Sequence, residues 1–215
     1  MQTRVKICGV TTLTDATLAA DAGAWALGMI FAPETPRRCE VEEAARIGAE
    51  LHRKVELAGV FVNAALDEVA EIADLCSLSL VQLHGDEGPA YCAEVARRTG
   101  ARVVKAVRVR DRHSLRALGA YRDRVDFHLV DAYVEGMRGG TGETFAWELL
   151  AERHSRVPLI LSGGITPDNA AAAVAAVHPF AVDSASGTEA SPGVKDPAKV
   201  TALIRAVEQA SLAAA

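Results

Sequence analysis

The sequence predicts an α/β protein built as a single (β/α)8 barrel of the phosphate-binding type, spanning residues 1–215 as one domain. Three observations carry this expectation. Short runs of Val, Ile, Leu and Phe alternate eight times with Ala-rich, charge-bearing stretches of helical spacing. Successive apolar runs begin roughly 20 to 30 residues apart, about the length of one strand-loop-helix-loop unit. No Pro/Ser-rich linker or single-charge run interrupts the rhythm. An open doubly wound sheet is the alternative. Eight units exceed the five or six strands usual for such sheets, and no GxGxxG follows the first strand.

Taken in order, the predicted strands are residues 5–8, 26–31, 57–62, 80–84, 103–109, 127–131, 159–162 and 181–184. Each is short and carries Val, Ile, Leu or Phe at most positions or beside small residues, as expected for parallel strands covered on both faces. Helix formers fill residues 12–22, 42–53, 67–75, 90–98, 114–121, 145–152, 167–177 and 197–209. Thr166-Pro167 and Asp196-Pro197 mark two helix starts, because Pro at the first helical position gives up only an amide that has no partner there.

Composition narrows the function classes. The formal charge of −5 lacks the basic excess that phosphate-backbone binding requires, so nucleic acid is not an expected partner. Small anions stay open, since they need only local donors. No stretch approaches about 18 uninterrupted apolar residues, and residues 1–10 carry no apolar signal-peptide core, so a cytoplasmic protein without membrane contact is expected. Cys8, Cys39, Cys76 and Cys92 are scattered without CxxC spacing. That argues against a zinc cluster or a disulfide scaffold and leaves four single thiols.

In a (β/α)8 barrel the chemistry sits at the C-terminal ends of the strands. Those positions hold Cys8-Gly9, Arg37 and Arg38 beyond strand two, Asn63, Gln82 to Gly85 including His84, Arg108, Asp131, Ser162-Gly163-Gly164 and Ser184 to Gly187. Backbone amides of the loops after strands seven and eight often cradle phosphate, and Gly163, Gly164, Ser186 and Gly187 occupy those places. A plain tight turn explains either cluster alone; two on adjacent strands favour the cradle. Cysteines are mostly small buried hydrophobes, the reading for Cys39, Cys76 and Cys92. Cys8 differs by standing on the reactive face. Asp131 closes an apolar strand, where a carboxylate is costly unless paired or used. Together a thiol and a carboxyl can move a proton across a substrate. Period-two alternation turns Lys6 and Cys8 to the barrel interior, and an interior lysine needs a counter-charge. Asp183, on the strand that closes the barrel against strand one, is the predicted partner.

These residues resemble a known family. Val5-Lys6-Ile7-Cys8-Gly9, Thr35-Pro36-Arg37, Val81-Gln82-Leu83-His84-Gly85, Gly139-Gly140-Thr141-Gly142, Ser162-Gly163-Gly164-Ile165-Thr166-Pro167-Asp168-Asn169 and Ser186-Gly187-Thr188-Glu189 with Pro192-Gly193-Val194-Lys195-Asp196 are similar to the phosphoribosylanthranilate isomerases of tryptophan biosynthesis. The resemblance runs from the first strand to the last helix. It implies an Amadori rearrangement of N-(5-phosphoribosyl)anthranilate with no cofactor and no metal, Asp131 as general acid and Cys8 as general base. It implies further that Arg37 pairs the anthranilate carboxylate, with Lys6 and Arg37 supplying positive potential to Cys8. Arg38 is read as a solvated charge. His84 has two readings, lining the pocket or holding a loop, and residues 139–142 read as a substrate-covering loop or a plain connector. Thr35, Ala185 and Ala146 depart from the commoner family residues, and none of them removes a catalytic group.

Two rivals stand beside this reading. A sister aminoaldose isomerase of histidine biosynthesis, or a bifunctional barrel, would carry aspartate at Cys8 and a repeated half-barrel pattern, and no second KICG-like strand occurs near the midpoint. A non-catalytic phosphate-ligand barrel would be favoured by the loss of Cys8 or Asp131, and both are present. The expected partner is a small phosphorylated substrate, and the expected state a monomer or homodimer.

Overall fold

The computed structural model describes residues 2–108, 112–131 and 155–213, with Trp147 and Leu150 between them. Eight strands, β1 (Arg4–Cys8), β2 (Ala26–Ile30), β3 (Glu56–Phe61), β4 (Leu80–Leu83), β5 (Arg102–Arg108), β6 (Phe127–Asp131), β7 (Leu159–Ser162) and β8 (Ala181–Ser184), close into a barrel in sequence order. All pairings are parallel, and β8 returns to β1 with Lys6 opposite Asp183. Each strand lies within one residue of its sequence-predicted bounds at either end. Apolar runs this short have little freedom once both faces must be covered.

The alternation along each strand splits the core in two. Ala26, Ala58, Leu80, Val104, Ala106, Phe127, Leu129, Ile160 and Ala181 fill the interior. Val5, Ile7, Leu27, Leu57, Val81, Val103, Val130, Leu161 and Val182 face outward onto the helices. Alanines on β2, β3 and β8 and large residues on β4, β6 and β7 let the interior layers fill the available space. Trp25, Phe127 and Phe180 stop the N-terminal end, with ring centroids 5.1 to 5.7 Å apart. The C-terminal end, where Lys6, Cys8, Gln82, Asp131 and Asp183 project, carries the polar groups.

Helices Leu13–Asp21, Val41–Leu51, Leu66–Leu75, Pro89–Thr99 and Arg112–Ala117 occupy the predicted places, the last extended by a 3-10 turn, Leu118–Tyr121. Helix Pro197–Ala213 starts on the predicted proline, and Asp196 Oδ1 accepts from the amides of Ala198 (2.8 Å) and Lys199 (3.2 Å). The other proline signal fails. The helix after β7 is Ala170–Val177, three residues late. Asn169 Oδ1 accepts from the Thr166 amide (2.8 Å) and Asn169 Nδ2 donates to the Gly164 carbonyl (2.9 Å), so these local bonds hold residues 166–169 in a turn instead. The sequence-predicted helix 145–152 and loop 139–142 fall largely or wholly outside the described residues, where only Trp147 and Leu150 are seen, both helical and buried.

Candidate active site

β1 delivers Lys6 and Cys8 to the interior, as alternation requires. The expected ion pair is present: Lys6 Nζ donates to Asp183 Oδ1 at 2.7 Å, with the two side chains 0% and 6% exposed. Ser162 Oγ on β7 donates to the other carboxylate oxygen at 3.0 Å. Burial alone would strip the Lys6 proton, but Asp183 and Cys8 outweigh it and hold the ammonium above its ordinary range. Lys6 therefore stays charged inside the barrel.

Cys8 is buried beside this pair, and Gly28 of β2 stands opposite it in register. A β-carbon on Gly28 would lie 2.7 Å from Cys8 Sγ and 3.0 Å from Lys6 Nζ, so only glycine leaves room for thiol and ammonium together. Burial dominates the thiol and pushes it above its ordinary value, with Asp183 adding to the rise. Lys6 and Lys195 pull it back. The sequence-based expectation named Lys6 and Arg37 as the positive neighbours. Lys6 holds, Lys195 is a second opposing cation, and Arg37, although ion-paired with Glu189, also interacts electrostatically with Cys8.

Arg37 donates from Nε and Nη2 to the two carboxylate oxygens of Glu189, both at 2.8 Å. Arg38 is exposed beside Glu40, as expected of a surface charge. Glu189 begins a small hairpin, β9 (Glu189–Ser191) and β10 (Val194–Lys195), that folds over the end of β1. Lys195 Nζ, fully buried, donates to the carbonyls of Cys8 (2.6 Å) and Ala185 (3.1 Å) and lies 3.4 Å from Glu189 Oε1. Burial would raise the Glu189 carboxyl, but Arg37 and Lys195 hold it below its usual range. Glu189 and Lys195 stood inside a recognised motif, yet no spacing signal gave them roles. Lys195 reaches a carbonyl 187 positions away in the chain.

The loops after β7 and β8 lie against each other. Gly163 (φ 96°) and Gly164 (φ 71°) take left-handed conformations that favour glycine. A β-carbon on Gly187 would stand 2.0 Å from the Ile165 carbonyl oxygen, so the two loops pack backbone to backbone there. Ser184 Oγ bonds the same carbonyl at 2.7 Å. Among the described residues, the amides of Gly163, Gly164 and Ser186 donate to no protein acceptor. A short 3-10 helix, Ser186–Thr188, follows β8.

Asp131 is the last residue of β6, in register with Arg108 on β5 and Ser162 on β7, and follows interior Leu129 by two positions. His84 follows β4. Its amide donates to the Phe61 carbonyl (2.8 Å), and its Nδ1 lies 3.1 Å from Gln82 Nε2. Burial drives its imidazole toward the neutral form against the pull of Asp131 and Asp183. The loop beyond it is held by Lys105 Nζ, which donates to the Gly85 carbonyl (2.6 Å) and to Glu87 Oε2 (2.7 Å). Glu87 in turn accepts from the amides of Asn63 and Gly85. The barrel mouth thus carries Cys8, His84, Asp131 and the β7 and β8 loops, with Arg37 at its edge. Among the described residues no group of three or more His, Cys, Asp or Glu side chains is placed to hold a metal ion.

Residues 5–206 match the family model described as N-(5'phosphoribosyl)anthranilate (PRA) isomerase. A relative from Citrifermentans bemidjiense named N-(5'-phosphoribosyl)anthranilate isomerase is 51% identical over 210 residues, covering 98% of this chain and 99% of its own length. The crystal structure of phosphoribosyl anthranilate isomerase from Thermotoga maritima is 40% identical, covers 97% of this chain and all of its own, and superposes with a TM-score of 0.87. Another, solved with reduced 1-(o-carboxyphenylamino)-1-deoxyribulose 5-phosphate, is 37% identical over 97% of this chain and the whole of its own, with a TM-score of 0.84. The barrel, the site at its mouth and these likenesses agree, and the chain belongs to the phosphoribosylanthranilate isomerase family.

Proposed function

We propose that this protein converts N-(5'-phosphoribosyl)anthranilate to 1-(2-carboxyphenylamino)-1-deoxyribulose 5-phosphate by an Amadori rearrangement, with Asp131 as general acid and Cys8 as general base. The observation that carries this reading is the meeting of a buried thiol flanked by two lysines, a strand-end carboxyl and two amide-rich loops at one barrel mouth. Asp131 gives its proton to the furanose ring oxygen as the C1–O bond breaks and the nitrogen lone pair forms the iminium. Cys8, as thiolate, takes the proton from C2, and the electron pair moves to the nitrogen to give an enolamine. That enolamine tautomerises to the ketone. The imine nitrogen is itself the electron sink, so the chemistry calls for no cofactor.

The amides of Gly163, Gly164 and Ser186, which find no acceptor among the described residues, suit, with the Gly187 turn, a phosphate group bound by backbone donors. This lets a chain of net charge −5 take an anionic substrate. Arg37 serves the anthranilate carboxylate with the guanidinium edge that Glu189 leaves unused, and Glu189 fixes its plane. The catalytic groups all come from one chain folded as a single barrel domain over residues 1–215, so it acts as a monomer or homodimer. One solved relative is described as a dimeric enzyme from which monomers were generated. No described helix is long and apolar enough to cross a membrane. A cytoplasmic site of action, where its phosphorylated substrate would be made, fits these features.

The test is turnover of freshly made phosphoribosylanthranilate, followed by loss of its fluorescence. Wild-type protein is expected to consume it, and Cys8→Ala and Asp131→Asn each to lower kcat by on the order of 10²-fold or more with the fold intact. Absence of wild-type turnover overturns the assignment, and near-normal turnover by either variant overturns that residue's role.

A further inference from the structure

Gln82 is an amide on a stretch of the barrel interior where its strand neighbours are apolar. It sits on β4 two positions after Leu80, with Val60 and Val104 as its register partners on either side, and is 1% exposed. Its Oε1 has no hydrogen-bond partner among the described residues, an arrangement native interiors seldom tolerate. A side chain kept for packing alone would be apolar here. The one hydrogen bond this amide makes among the described residues is from Nε2 to His84 Nδ1, at 3.1 Å.

An amide nitrogen only donates, so this contact makes Nδ1 the acceptor and leaves the ring proton on Nε2. We propose that Gln82 is a positioning residue that fixes His84 as its Nε2–H tautomer, so that His84 offers the bound substrate a hydrogen-bond donor instead of a base. The inference deepens the isomerase reading and rests on it. With Nδ1 occupied and Nε2 already carrying a proton, His84 has no lone pair with which to compete for the C2 proton, and that step stays with Cys8. His84 would then donate to an oxygen acceptor of the substrate. The orphaned Oε1 is the cost of keeping the amide.

The experiment pairs imidazole ¹⁵N NMR of the folded, full-length protein with kinetics and thermal unfolding. Wild-type His84 is expected to show an Nε2–H pattern and to titrate below the ordinary imidazole range. Gln82→Met, of similar volume and without the orphaned oxygen, is expected to unfold at the wild-type temperature or above. It should lose the tautomer preference and lower kcat/KM about tenfold, the worth of one hydrogen bond. Gln82→Glu presents an acceptor to Nδ1, so the proton should move there and a new acidic limb appear in the pH profile. An Nδ1–H pattern in an active wild-type enzyme overturns the proposal. So does a Gln82→Met variant with unchanged tautomer, whether or not its stability falls. A wild-type protein that shows the Nε2–H pattern but does not turn over phosphoribosylanthranilate overturns the isomerase reading instead.

Discussion

Replacing Lys6 by Met tests whether the buried ion pair is what allows charge inside this barrel. The pair is 2.7 Å long and both side chains are almost wholly removed from water, so Lys6→Met leaves the Asp183 carboxylate, among the described residues, with Ser162 Oγ as its hydrogen-bond partner. Breaking a buried pair from one side costs about 3 to 5 kcal/mol. A domain of this length loses about 2 to 4 °C of Tm per kcal/mol, so the midpoint should fall by roughly 6 to 20 °C. Removing both charges, as Lys6→Met with Asp183→Leu, also removes the desolvation cost. The double variant should return to within about 2 kcal/mol of wild type, the remainder being the lost Ser162 hydrogen bond and imperfect packing. Urea unfolding with unchanged m-values is the assay. A single-variant cost below about 1 kcal/mol, or a double variant less stable than the single, would refute the reasoning. In either outcome on stability, Lys6→Met should slow iodoacetamide labelling of Cys8 at fixed pH, because Lys6 favours the thiolate.

Other consequences are equally direct. Lys195→Met should move the alkaline rise of kcat/KM to higher pH, since this ammonium favours the Cys8 thiolate; an unmoved profile removes Lys195 from the tuning of the base. Glu189→Gln should raise KM at least several-fold with kcat nearly kept, because it frees the Arg37 plane without touching Cys8 or Asp131, and equal loss in both would point to collapse of the hairpin. Gly187→Ala must separate loops that meet 2.0 Å from the added carbon, so KM for the phosphorylated substrate should rise about tenfold or more, and an unchanged KM would count against a cradle there. Burial pushes Cys39 up to about 12 and Cys76 and Cys92 up to about 11, from an ordinary 9.0. The unfolded thiols ionise first, so this contribution is complete below pH 9 and lost as pH rises from there through 11 to 12. The urea midpoint should fall over that range, and less steeply in Cys92→Ala.

Much of this protein is legible along the chain because the barrel is locally encoded. Each strand-helix unit repeats the same apolar and helical signals, and strands buried on both faces are bounded sharply by polar turns. The Lys6–Asp183 pair followed from alternation plus closure of β8 on β1. Pro167 misled because the signal for a helix start is the same whether or not a nearby Asn satisfies the turn, and Asn169 does.

Sequence by itself determined the barrel, the strand-end positions of Cys8 and Asp131, and the glycines of the last two loops, since all of these rest on period, order and residue type. Tertiary structure alone decided what tunes and holds those groups. Lys195 reaches back to the Cys8 carbonyl, Glu189 clamps Arg37, Gly28 makes room for the thiol, and Gln82 meets His84 inside the barrel. The first three couple residues brought together only by the curvature of the closed sheet and the fold-back of one hairpin. The last depends on which amide atom finds a partner once water is excluded. Neither the curvature nor the exclusion leaves a mark on local spacing.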